Sequence, residues 1–330
     1  MGEADTGARR ATTGGDARAA PDAGAGPHVA LVAVQIIFGA WPIFGKLALR
    51  ALPSTGLVAL RVAGAASVFY LMGRVAGRVA VEDRRDYARF FLYSVLGVVL
   101  NQFLFVKGLA LSTVVNATIL STAIPVFALL VSALLGRERV TPRKALGTLV
   151  AATGVVILID PFRADFSGDR TTGNLLLVAN AVAYGAYIAV SQKMFRRYGA
   201  LTVITWVFIF GSLLTLPVGG YYLAQTPLRE VGWLIWLDVL FIILVPTVGA
   251  YYLNAWALAR VPPSTVAAYI YLQPLVAFAA APLALGSEEL WNLRALAASA
   301  FIFAGVALVT LRATSAAVEE LSEHPDALGH

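Results

Sequence analysis

Residues 29–50 read VALVAVQIIFGAWPIFGKLALR, a run of 22 residues in which Gln35, Lys46 and the closing Arg50 are the strongly polar side chains. A bilayer core about 30 Å thick needs about 20 apolar residues of helix to cross it. The run has no strand-like alternation, and in lipid every backbone N–H and C=O must find a partner within the protein. It therefore reads as a membrane-crossing helix. The same ruler marks nine more spans, at about 54–73, 90–110, 113–135, 143–160, 172–192, 201–222, 233–257, 263–285 and 291–312. The expected fold is an all-α integral membrane protein of ten transmembrane helices.

Composition supports this reading. Of 330 residues, 59% are apolar and 13% charged, with a mean hydropathy of +0.76. Soluble domains carry about 25% charged residues, so this chain cannot coat itself for water. A soluble enzyme, a nucleic-acid binder and a secreted scaffold are excluded on that ground. The net charge of +6 sits in short clusters between apolar runs and fits membrane orientation better than a nucleic-acid surface. The absence of cysteine removes disulfides, thiolate metal sites and cysteine nucleophiles. Residues 1–28 are expected to form a disordered cytoplasmic tail, with span 1 as a signal anchor, and residues 313–330 a second cytoplasmic tail.

Cytoplasmic loops carry an excess of Lys and Arg. With the N-terminus inside, 17 of the 25 basic residues fall in inside segments and 5 outside, while Lys46, Arg61 and Lys107 lie within spans. Both termini are therefore expected in the cytoplasm.

The two halves resemble each other. Phe38-Gly39-Ala40-Trp41 echoes Tyr184-Gly185-Ala186-Tyr187, and Gly108-Leu109-Ala110 ahead of Pro125 echoes Ala257-Leu258-Ala259 ahead of Pro274. Gly136-Arg137-Glu138-Arg139 parallels Gly286-Ser287-Glu288-Glu289, and Thr153-Gly154-Val155 parallels Ala304-Gly305-Val306. The matches keep one order at offsets of 146 to 151 residues. Five spans per half is odd, so the second copy must enter the membrane upside down. The loop after span 4 is rich in arginine while its counterpart after span 9 is acidic, as inversion requires. Inverted repeats suit transporters, whose substrate site lies between the halves.

These features resemble the drug/metabolite transporter superfamily, in particular its EamA type, with two inverted five-helix repeats. The resemblance covers residues 29–160 as a first repeat and 161–312 as a second. Its marks are Arg61, Asn101-Gln102, Gly108-Leu109, Pro125, Gly136, Glu138, Gly147 and Gly154 in the first copy, and Pro274, Glu288 and Gly305 in the second. It implies export or exchange of small metabolites, often amino acids, across a bacterial inner membrane, along a path lined by spans 1, 3, 4, 6, 8 and 9. Lys107 departs from the aromatic or apolar residue common at that position in the family.

Polar residues at membrane depth are costly and tend to face the bundle interior. Span 1 aligns Gln35, Pro42 and Lys46 at helical spacing, with Trp41 beside them, and span 6 aligns Asn180, Tyr184 and Tyr187. Asn101 and Lys107 of span 3, Ser121 of span 4, Tyr251 and Asn254 of span 8, and Tyr269 and Gln273 of span 9 join them as lining candidates, together with Arg61. The competing explanation for each Ser, Thr or Asn is interhelical packing, and for Lys46 and Lys107 it is snorkelling to the outer interface. Asp238 is the one acid well inside a predicted span; it is expected to pair with one of these cations or to carry a proton. Pro125 and Pro274 correspond across the halves and are read as matched gating kinks.

Ala40–Leu47 nearly matches a phosphate-binding loop but lacks the first Gly and the Ser/Thr, so nothing points to ATP. Histidine occurs only at 28, 324 and 330, which leaves no imidazole base or histidine metal site within the spans. No cofactor or metal is expected. The leading reading is a secondary transporter for a small solute carrying a carboxylate, with proton coupling open and the oligomeric state unspecified. An exchanger of organic anions or phosphorylated metabolites is the alternative within the class. A multipass enzyme acting on lipid is the alternative outside it, resting on Asp160, Asp165 and Asp169 in a loop more simply read as solvated.

Overall fold

The computed structural model describes residues 25–136, 141–159, 168–258, 269–286 and 293–310. The tails, the Arg137–Arg139 and Glu288–Glu289 loops, and Asp160, Asp165 and Thr265 lie outside the described residues. Every regular element among the described residues is helical.

Ten helical passes follow one another. Span 1 is Ala25–Ala48, span 2 Ser54–Val75, span 3 Asp86–Leu111, span 4 Val114–Leu134 and span 5 Pro142–Ile159. Span 6 is Asp169–Tyr198, span 7 Ala200–Ala224 and span 8 Trp233–Leu258. Span 9 contains Leu272–Leu285 and span 10 is Leu293–Thr310. Among the described residues seven of them are long and apolar enough to cross a membrane, and spans 5 and 10 contain shorter apolar helices, Ala145–Ile157 and Leu296–Gly305. Leu134, Leu216, Leu237 and Leu244 are among the large apolar side chains left on the outside, where lipid is their natural solvent.

The packing is reciprocal. Span 6 lies against spans 3 and 4, and span 1 against spans 8 and 9. Span 2 pairs with span 7, and span 5 with span 10. Each half thus lends its first helix to the other half, so the two copies cannot fold as separate bundles. Matched glycines make the close approaches. A Cβ on Gly39 would lie 2.9 Å from the Gln273 carbonyl oxygen of span 9, and one on Gly185 would lie 2.7 Å from the Ala128 amide nitrogen of span 4. Gly154 and Gly305 do the same between spans 5 and 10. Gly136 and Gly286, after spans 4 and 9, both adopt positive φ, at 66° and 94°.

Two breaks in helical regularity also come in matched pairs. Val95–Leu100 of span 3 and Ile243–Gly249 of span 8 are π-helical. Such insertions mark functional sites more often than ordinary helix does. Span 4 is interrupted at Thr122 and Ala123, and span 9 begins with a 3-10 turn at Tyr269–Tyr271. Pro125 and Pro274 are then the second and third residues of the helices that follow, Ile124–Leu134 and Leu272–Leu285. They start helices rather than kink them in mid-course: a proline in the first turn lacks only an N–H that would have had no intrahelical partner. Mid-helix prolines are instead Pro42, Pro217, Pro246 and Pro282.

Candidate functional site

The π segment of span 8 is where local sequence builds the site. Pro246 has no N–H to give the carbonyl of Ile242 four residues earlier. The Thr247 hydroxyl takes over, donating to that carbonyl at 2.8 Å. This fixes the hydroxyl proton, so the Thr247 oxygen is presented as an acceptor. Arg61 Nε donates to it at 2.6 Å, and Arg61 Nη1 donates to Gln102 Oε1 at 2.7 Å. Gln102 lies two residues past the π segment of span 3, so the two matched irregularities hold the two acceptors of one guanidinium.

Trp41 of span 1 completes the seat, with the Arg61 guanidinium carbon 4.0 Å from its ring centroid. Phe105 stacks on the far side of the Trp41 neighbourhood at 6.1 Å between centroids. Tyr251 of span 8 is within hydrogen-bonding reach of Gln102 and packs edge-on against Phe38 at 5.9 Å and Phe208 at 5.4 Å. Tyr184 and Tyr187 of span 6 stack at 5.6 Å. Spans 1, 2, 3 and 8 thus converge on Arg61, and the Tyr184–Tyr187 pair brings span 6 to the same region.

Arg61 is 3% exposed, and its partners are all neutral. Among the described residues no carboxylate lies within ion-pair distance of it; the ion pairs present involve Asp86 and Glu82. Its Nη2 is hydrogen-bonded to none of the described residues, yet it is not among the sealed, unsatisfied atoms. Among the described residues the guanidinium therefore has only neutral partners, in a low-dielectric, aromatic-walled place. That arrangement attracts an anion, and a planar guanidinium suits a carboxylate best.

Other predicted lining residues fall elsewhere. Gln35 and Gln273 bond each other at 2.6 Å between spans 1 and 9. His28 Nδ1 meets the Tyr269 hydroxyl at 2.8 Å near the start of span 1. Asn180 Nδ2 donates to the Asn101 carbonyl oxygen at 2.8 Å, a packing bond between spans 3 and 6. Ser121 returns its hydroxyl to the Ala117 carbonyl of its own helix. Asn254 and Lys46 are half-buried, and Lys46 shares a face of span 1 with Gly39. Lys107 is exposed on span 3, and none of the Arg61 contacts among the described residues involves it. Neither carboxylate oxygen of Asp238 meets a hydrogen-bond donor among the described residues.

Gln102, a mark of the resemblance, and Thr247, on the stripe of Tyr251 and Asn254, were not among the lining candidates. The signal for them was Arg61 itself, a mid-helix cation that needed acceptors. Asp86 lies ahead of the span expected at about 90–110. It is a fully buried acid that receives the Tyr198 hydroxyl at 2.6 Å, Arg197 Nη1 at 2.9 Å and Arg89 from one turn away. Together with the Trp206 indole donating to the Val79 carbonyl at 2.9 Å, it ties the start of span 3 to the turn between spans 6 and 7.

The model of the EamA-like transporter family matches residues 27–160 and 171–311. The chain is 26% identical over 258 residues to the uncharacterized transporter YetK of Bacillus subtilis, a match covering 76% of this chain and 77% of that one. It is 23% identical over 335 residues to a WAT1-related protein of Arabidopsis thaliana, covering 91% and 86%. A shorter match, 25% over 115 residues and covering 35% and 38%, is to the S-adenosylmethionine uptake transporter of Rickettsia prowazekii. A protein of known crystal structure shares the fold with a TM-score of 0.58 at 23% identity, covering 84% of this chain and 97% of that one.

Proposed function

The chain belongs to the EamA-like transporter family, and from that premise we propose that it is a secondary transporter, not an enzyme, that exports or exchanges a small solute bearing a carboxylate. An amino acid or a related amphiphile fits best. The observation that carries this reading is the buried Arg61, bonded only to neutral groups and walled by Trp41 and the tyrosines. The carboxylate meets the guanidinium, and the aromatic walls take the apolar remainder. S-adenosylmethionine, for which one relative is named, is itself an amino-acid derivative with a carboxylate.

The mechanism is alternating access. Spans 1, 8 and 9 form one packed group and spans 3, 4 and 6 its inverted counterpart. Arg61 bonds to both, through Thr247 on one side and Gln102 on the other. Rocking of one group against the other stretches or exchanges those bonds, so a solute anion bound to Arg61 feels the movement directly. The protein sits in the inner membrane with both termini cytoplasmic, by the excess of basic residues in the loops on that side.

An exchanger of phosphorylated metabolites would need more than one cation at the site. The partners of Arg61 among the described residues include no second cation, which favours a singly charged group. Uptake by proteoliposomes loaded with unlabelled solute tests the reading. Labelled amino acids should exchange while a labelled sugar phosphate does not. Exchange of the sugar phosphate alone would overturn the choice of substrate class, and exchange of nothing in a broad panel would overturn the transporter reading.

A further inference from the structure

Asp238 plays no part in the site just described, and its setting is unlike that of any other acid among the described residues. It lies in the first half of span 8, in the helix Trp233–Ile242. Both carboxylate oxygens are sealed from solvent, and no donor among the described residues reaches either one. On the same helix Val239 and Ile242 are buried, while Leu237 and Leu240 are exposed.

Spans 1 and 2 are the chief neighbours of this helix. The charged or titratable groups they carry are His28, Lys46, Arg61, Tyr70 and Arg74. His28 meets Tyr269, and Arg61 is committed to Thr247 and Gln102. Lys46 lies on the face of span 1 that Gly39 presents to span 9. Tyr70 and Arg74 lie in the last turns of span 2, at the opposite end of the bundle. None of them bonds Asp238.

An ionised carboxylate in this seat would have lost its water and gained no donor, whereas the protonated acid leaves far less unsatisfied. A metal cation would demand several further oxygen ligands, and no cluster of three or more acids or histidines lies among the described residues. The geometry points to Asp238 as a proton-binding site of the transport cycle, loaded in the conformation seen here and emptied when span 8 moves it into water. Span 8 also carries Thr247, nine residues on and inside its π segment. One displacement of span 8 therefore both exposes Asp238 and shifts the hydroxyl that seats Arg61. Proton and solute are linked through that shared helix, and the linkage is reciprocal.

This inference rests on the transporter reading for its physiological meaning, but its first test does not. Dicyclohexylcarbodiimide reacts with protonated carboxyl groups in apolar surroundings. Purified protein treated across a pH series and digested for mass spectrometry should carry the adduct at Asp238, less of it as pH rises, and none in Asp238→Asn. Absence of the adduct at every pH, or an adduct yield indifferent to pH, would overturn the proposal whether or not a solute has been found. The second test uses proteoliposomes and an amino acid that the wild type exchanges. A gradient of one pH unit should drive about tenfold accumulation per proton in the wild type. Asp238→Asn should lose accumulation and keep exchange, which also shows that it is folded, and Asp238→Glu should recover part of it. Accumulation by Asp238→Asn at the wild-type level, or a wild type indifferent to the gradient, would overturn the inference while leaving the transporter reading intact.

Discussion

The guanidinium of Arg61 lies over Trp41 with its central carbon 4.0 Å from the ring centroid, joining spans 1 and 2 through a cation and an indole. Desolvated pairs of this kind contribute about 2 kcal/mol. Trp41→Leu should therefore raise the KM for a carboxylate solute by roughly tenfold or more, since 1.4 kcal/mol is a factor of ten. Trp41→Phe should fall between the two. Counterflow kinetics in proteoliposomes read this directly; equal KM values for Leu and Trp at position 41 would show that the ring is mere packing.

Thr247 serves two partners at once, Ile242 and Arg61. Thr247→Val keeps the shape and the backbone N–H but strands a guanidinium nitrogen of Arg61. The cost should be about 1–3 kcal/mol for the buried group left unsatisfied. A lowered thermal midpoint in detergent for Thr247→Val, restored by Thr247→Ser, is the expected pattern. If Ser behaves like Val, the hydroxyl is not what matters.

Spans 5 and 10 meet through glycine. A side chain on Gly305 would collide with the backbone of Ala151 and Gly147, where no flexible group can give way. Gly305→Val should destabilise by about 1–3 kcal/mol or more, with Gly154→Val, which meets the Ala298 carbonyl at 2.7 Å, close behind. Thermal unfolding followed by fluorescence checks both, and a neutral Gly305→Val would contradict the close approach of these helices.

Much of this architecture was legible in the residues, because lipid imposes length and apolarity on every crossing helix. Helix ends were less so: span 6 runs on to Tyr198, where Arg196 and Arg197 make it too polar for a hydropathy ruler to follow. The glycines matched between the halves, Gly39 with Gly185 and Gly154 with Gly305, do matched work in the fold. At the site, Arg61, Trp41 and Tyr251 were found by their cost or their stripe. Gln102 was passed over for Asn101 because the π segment alters helical phase just ahead of it, and phase is what side-chain stripes depend on. Asp86 could not be told from a loop acid, since its partners Arg197 and Tyr198 lie more than a hundred residues away.

The inverted arrangement makes a claim about sides. The protein has no cysteine, so single cysteines report cleanly. Arg143→Cys at the start of span 5 and Arg294→Cys at the start of span 10 should react with an impermeant maleimide from opposite faces of the membrane. Labelling of both from the same face would contradict inversion of the second half.

The central claim is that Arg61 receives the carboxylate of the solute, and one comparison tests it most directly. Counterflow of a labelled amino acid in proteoliposomes should be competed by the unlabelled acid and not by its decarboxylated amine. In Arg61→Gln, carboxylate-dependent counterflow should fall at least tenfold (about 1.4 kcal/mol), while the far-ultraviolet helical signal is kept. Wild-type counterflow in Arg61→Gln, or equal competition by the amine and the acid, would contradict it.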